Sequence, residues 1–124
     1  MESLRILIVD DLEDNGVLLC DALQMRGFEA RYAPDGATAL ALAPDFAPHI
    51  AILDVLMPEM DGYELGRRLR ALPGHEKICL IAISGFDRDA GAARAAGFHG
   101  HVMKPMTLDR VEQAVRAGYA AATR

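Results

Sequence analysis

At 124 residues the chain suits one domain, able to bury roughly two-thirds of its unfolded surface. Apolar residues at 52% and charged residues at 25% are ordinary for a soluble globular protein. A formal net charge of -5 argues against non-specific nucleic-acid binding, which needs a basic surface. No stretch approaches the ~18 apolar residues of a membrane span, and the N-terminus lacks a secretion signal. Cys20 and Cys79 sit in apolar contexts and make no disulfide framework, so they read as reduced, buried thiols of a cytoplasmic protein.

Along the chain, short apolar runs alternate with longer helical stretches five times. The first strand is expected at 4–9. The first helix turns Val17, Cys20 and Leu23 to one face and ends at Gly27, a residue suited to a left-handed cap. A second strand at 28–32 leads to a helix near 36–43, stopped by Pro44 and Pro48. The third strand is expected at 49–53. The third helix opens at Asp61, with Glu64 three residues on as in a capping box. Its Leu65, Leu69 and Leu72 share a face, and Pro73-Gly74 end it. Arg67, Arg68 and Arg70 on that helix read as a solvated face. The run 78–83 is almost wholly apolar, as a central parallel strand should be. A helix at 87–96, a strand at 100–103 and a helix starting at Thr107, burying Leu108, Val111 and Val115, complete the chain. This alternation implies right-handed βαβ crossovers and a doubly wound α/β parallel sheet with helices on both faces.

Three strand ends carry chemistry. Asp10-Asp11 follow the first apolar run, Asp54 follows the third, and Lys104-Pro105 follow the fifth. Open α/β sheets place ligands at the carboxyl ends of their strands. Three acids and one ammonium on a common rim suit a divalent cation and a phosphoryl group. Mg²⁺ takes oxygen ligands and keeps several waters, so a few carboxylates suffice. Asp11 and Asp54 can ligate directly, Asp10 can orient a bound water, and the Leu56 carbonyl can add a further ligand. Neighbouring acids raise one another's pKa without a cation; with one, Asp54 stays ionised and can attack phosphorus. Lys104 and the cation then neutralise the transferring oxygens. Ser84, at the end of the fourth strand, can donate to a phosphoryl oxygen or cap the fourth helix. Asp10-Asp11 taken alone can cap the first helix, and Lys104 taken alone reads as a surface lysine.

The set Asp10-Asp11, Asp54 with Met57-Pro58 and Asp61-Gly62, Ser84, and Lys104-Pro105 resembles the receiver domain of two-component response regulators. The resemblance covers essentially all 124 residues as one receiver domain. It implies a flavodoxin-like (βα)5 fold with strand order 2-1-3-4-5. It also implies that Asp54 accepts phosphate from a phosphohistidine of a histidine kinase or phosphotransfer protein. Asp10, Asp11 and the Leu56 carbonyl would organise Mg²⁺, while Ser84 and Lys104 would bind the phosphoryl group. Coupling would reach the face built by the fourth helix, fifth strand and fifth helix. The stretches 11–15 and 97–105 look like receivers attached to hybrid histidine kinases.

One position departs from the pattern. Many receivers carry Tyr or Phe three residues before the lysine; here it is His101. An imidazole can swing and hydrogen-bond similarly, though it titrates near neutrality, and the competing reading is a solvent-facing histidine on an edge strand. His99 and His101 share a strand face, but two histidines are weak evidence for zinc. The fourth helix holds Gly91 and mostly alanines, so it is expected to be the softest element and the one phosphorylation biases. Leu56 and Phe86 flank the approach of a hydrolytic water and cannot position it, which predicts slow self-dephosphorylation.

Two other classes compete. A small aspartyl-phosphate phosphatase of the haloacid-dehalogenase type needs a second acid two residues after its nucleophile, and Leu56 stands there. A non-phosphorylated interaction module would not need the acid set and Lys104. No Gly-rich phosphate loop follows the first strand, which disfavours a nucleotide-binding flavodoxin-like protein. The chemistry expected is self-phosphorylation and self-dephosphorylation in a signalling module, not an enzyme. No DNA-binding segment follows the fifth helix, so a stand-alone regulator, a phosphorelay shuttle or a domain of a longer protein all fit.

Overall fold

The computed structural model describes residues 3–86 and 89–123. Five strands and five helices alternate: β1 (Arg5–Val9), α1 (Glu13–Met25), β2 (Glu29–Ala33), α2 (Gly36–Phe46), β3 (Ile50–Asp54), α3 (Gly62–Ala71), β4 (Cys79–Ser84), α4 (Asp89–Ala95), β5 (Gly100–Met103) and α5 (Leu108–Ala122). The strands form one parallel sheet in the order β2-β1-β3-β4-β5, as expected from the resemblance.

The period-2 alternation of β-strands divides the core into two layers. Ile6 and Ile8 of β1, Ile50 and Ile52 of β3, and Cys79, Ile81 and Ile83 of β4 face α1 and α5. Leu7 and Val9, Ala51 and Leu53, and Leu80 and Ala82 face α2 and α3, with Ala93 of α4 joining that layer. β1, β3 and β4 are covered on both faces, which explains their unbroken apolar runs. Burying each such side chain stabilises the fold by roughly 1.5–3 kcal/mol before entropy is counted. Cys20 and Cys79 are free and buried within the α1–α5 layer. No described helix is long and apolar enough to cross a membrane.

Several expected boundaries shift, each for a local reason. Val17 is 39% exposed; the buried stripe of α1 is Gly16, Leu19, Cys20 and Leu23, about a hundred degrees of helix rotation away. Gly27 does take a positive φ beyond α1, with Gly27 N–H donating to Gln24 and Phe28 N–H to Leu23. Pro44 does not stop α2, which runs one turn further to bury Phe46 and closes on left-handed Ala47. Proline removes one helical hydrogen bond there, and burial of the phenylalanine ring outweighs it. Asp61 caps α3 by accepting from Glu64 N–H at 2.9 Å. The return half of the capping box is missing, because the Glu64 carboxylate pairs with Arg67 and Arg68 instead. Leu108 is half-buried, whereas Val111 and Val115 are fully buried. The expected start of the fourth helix at Asp87 lies outside the described residues.

Candidate functional site

Because all five strands are parallel, their carboxyl ends share one edge. The chain runs outward from β1 to β2 on one side and to β3 on the other, so a crevice opens between β1 and β3. Asp10 and Asp11 leave β1 on one flank of that crevice, and Asp54 closes β3 on the other. Asp54 lies inside the ladder, one residue further than the sequence reading placed the strand end, opposite Ile83 of β4.

The loop after Asp54 folds back tightly. Val55 N–H donates to Ile83 and Gly62 N–H donates to Val55, both at 3.0 Å. A Cβ on Gly62 would lie 2.5 Å from the Asp54 carbonyl oxygen, so only glycine allows this approach. Glu59 takes a left-handed φ of 69° at the turn. The Asp54 backbone is thereby held between β4 and the loop that returns to α3.

Carboxylate oxygens of Asp10, Asp11 and Asp54 all lie within 4.8 Å of one another, the one such grouping of His, Cys, Asp or Glu among the described residues. Lys104 reaches in from the β5–α5 turn, its Nζ 3.3 Å from Asp54 Oδ2 and 3.9 Å from Asp10 Oδ2. Asp10 divides its oxygens: Oδ1 accepts Leu12 N–H at 2.9 Å, and Oδ2 faces Lys104. Asp10 and Asp54 are buried and Asp11 is exposed.

Burial pushes the Asp54 carboxyl up to about 6, with Lys104 pulling down and Asp10 and Asp11 pushing up. Desolvation is thus the larger cause and the neighbouring acids the smaller, the reverse of the emphasis drawn from the sequence. Three carboxylates against one ammonium leave the pocket with excess negative charge. Hard oxygen donors so arranged fit a small divalent cation such as Mg²⁺. The Leu56 side chain is 64% exposed just beyond Asp54, in keeping with an open approach to the carboxylate.

Ser84 closes β4 at the same rim, and Lys104 N–H donates to its carbonyl at 2.7 Å. Its hydroxyl is engaged by His101 Nε2 at 2.8 Å and by both the carbonyl and N–H of Phe86. Among the described residues, Ser84 therefore belongs to a local turn with Phe86; the start of the fourth helix that it could cap lies outside them. His101 is partly buried on β5 and bonded to Ser84, so the solvent-facing alternative is corrected. His99 Nδ1 accepts Leu80 N–H at 3.2 Å, leaving no pair of free imidazoles for zinc. Arg67 and Arg68 are exposed as expected, and Arg70 donates to the Gly97 carbonyl. The sequence reading missed Tyr32, whose hydroxyl donates to the Asp10 carbonyl at 2.6 Å. Nothing in a strand-end tyrosine signals such a reach.

The family model for the response regulator receiver domain matches residues 6–116. A 14.6 kDa protein from the sodA1 3' region of Leptolyngbya boryana is 38% identical over 108 residues, covering 86% of this chain and 82% of that protein. The virulence sensor protein BvgS of Bordetella pertussis is 37% identical over 128 residues, covering 97% of this chain but 10% of BvgS. Among solved structures, the signal receiver domain of a signal transduction histidine kinase from Syntrophus aciditrophicus superposes with a TM-score of 0.83 at 28% identity, covering 98% of this chain and 94% of that one. Sheet order, the acid crevice at the β1–β3 switch point and the match over residues 6–116 together establish that this chain belongs to the response regulator receiver domain family of two-component signalling.

Proposed function

We propose that Asp54 is a phosphoacceptor, taking a phosphoryl group from a phosphohistidine of a histidine kinase or phosphotransfer protein. The observation that carries this reading is the meeting of Asp10, Asp11 and Asp54 within 4.8 Å, with Lys104 3.3 Å from Asp54. In the reaction an ionised Asp54 oxygen bonds to phosphorus as the donor P–N bond breaks, and the donor imidazole leaves. Asp10, Asp11, Asp54 and the Leu56 carbonyl would hold Mg²⁺, which when bound supplies charge neutralisation for the transferring oxygens. Lys104 offers a second positive charge already aimed at Asp54.

Ser84 supplies the link to the rest of the molecule. Its one hydroxyl is occupied by His101 and Phe86, so donating to an arriving phosphoryl oxygen requires it to leave them. That exchange would release His101 on β5 and bias the α4-β5-α5 face, the surface read by an output partner. The chain acts as one receiver unit and a signalling module, its only chemistry being gain and loss of its own phosphoryl group. The 10% coverage of BvgS and the 82% coverage of the Leptolyngbya protein accommodate both a fused and a separate output.

Acetyl phosphate, a small phosphodonor, tests the reading without a kinase. Incorporation of one phosphoryl group should require Mg²⁺ and disappear in Asp54→Asn. Equal labelling in chelator, or in the variant, refutes it.

A further inference from the structure

We propose that Tyr32 is a positioning residue of the acid pocket: seated in the notch left by Gly16, its phenol fixes the Asp10–Asp11 peptide and so sets the pocket's affinity for a divalent cation. This rests on the metal reading above. The carbonyl that accepts the Tyr32 hydroxyl at 2.6 Å belongs to the peptide plane joining Asp10 to Asp11. A peptide unit is rigid, so anchoring its oxygen orients the main chain of both acids together.

Little else anchors that plane. The β1–β2 ladder is fading there, with Asp10 N–H 3.4 Å from the Ala33 carbonyl. α1 begins at Glu13 behind Leu12, which offers no side-chain cap. The Leu12 N–H to Asp10 Oδ1 bond fixes the carboxylate relative to its own loop, not the loop relative to the sheet. Tyr32, opposite Ile8 in the register, ties the loop to β2.

Gly16 shows that the seat is built for the ring. A Cβ there would fall 2.1 Å from Tyr32 Cε1 and 2.4 Å from Cδ1. Glycine within α1 costs about 1 kcal/mol against alanine, and the buried notch it opens is filled by the phenol.

Calorimetric titration of the unphosphorylated protein with Mg²⁺ tests this. Tyr32→Phe keeps the ring and removes the donor; its Mg²⁺ dissociation constant should rise about fivefold, the scale of one net hydrogen bond. Gly16→Ala puts a Cβ where the ring sits and so displaces it; it should weaken Mg²⁺ binding by a similar factor in protein that still unfolds cooperatively. The double variant should bind no more weakly than the weaker single one, since both break the same contact. Tyr32→Phe binding Mg²⁺ as tightly as the parent overturns the proposal, as does a loss of thermal stability in both variants with affinity unchanged. A parent protein that binds no Mg²⁺ removes the metal reading and this one together.

Discussion

Asp54 meets opposed demands: β3 needs it inside the sheet edge, where it is 5% exposed, and the proposed chemistry needs it charged. Without a cation the conflict appears as stability. Its folded pKa of about 6 lies above the ordinary 3.8, so the folded state keeps a proton that the unfolded chain releases between about pH 4 and pH 6. Stability therefore falls as pH rises through that window, by no more than about 3 kcal/mol. In chelator, urea unfolding of Asp54→Asn should show an advantage over the parent that grows from pH 4 to pH 6 and then levels, and saturating Mg²⁺ should narrow it. A difference constant across pH would mean that Asp54 is not strained by burial. Next to it, the exposed Leu56 offers no polar atom on its side chain to a hydrolytic water. Leu56→Asn should speed decay of the phosphorylated form by roughly tenfold, below the usual range for a positioned acid or base. Unchanged decay in a phosphate-release assay would rule out this control of lifetime.

Among the elements, α4 has the least described packing: seven described residues, Asp89–Ala95, of which Ala93 is buried. α5 is fifteen residues long and buries Val111, Val115 and Gly118. Helices draw most of their stability from packing, so α4 amides should exchange faster than those of α5. A Cβ on Gly91 would meet nothing within 4 Å among the described residues. Gly91→Ala should therefore slow α4 exchange by about two- to fivefold, matching roughly 0.5–1 kcal/mol of helix propensity. Equal protection of the two helices in the parent would contradict the assignment of α4 as the soft element. Element identity was legible because apolar runs and helical periodicity repeat cleanly, and all ten elements appear in the expected order. Ends were less so: a propensity argument stops α2 at Pro44, whereas burial of Phe46 carries it on. Asp10, Asp11, Asp54 and Lys104 were legible because strand ends of a parallel sheet must converge. The Tyr32 and His101 contacts were not, since each depends on a rotamer and a neighbour far along the chain.

At the scale of the whole molecule, one decision fixes the rest: β3 enters the sheet on the far side of β1 from β2. That reversal opens the crevice and brings residues 10, 11, 54 and 104 to one place from three separate strand ends. The same sheet runs from the crevice through β4 to β5, where Ser84 and His101 are hydrogen-bonded; under the proposed function these two residues would carry an event at Asp54 to the far edge. The most direct measurement locates the bound phosphoryl group itself. After incubation with Mg²⁺ and acetyl phosphate, borohydride reduces an aspartyl phosphate to homoserine, and peptide mass spectrometry maps where. The conversion should fall on Asp54 and vanish in chelator; conversion at Asp10 or Asp11 instead, or none in protein that has bound Mg²⁺, would contradict Asp54 as the acceptor.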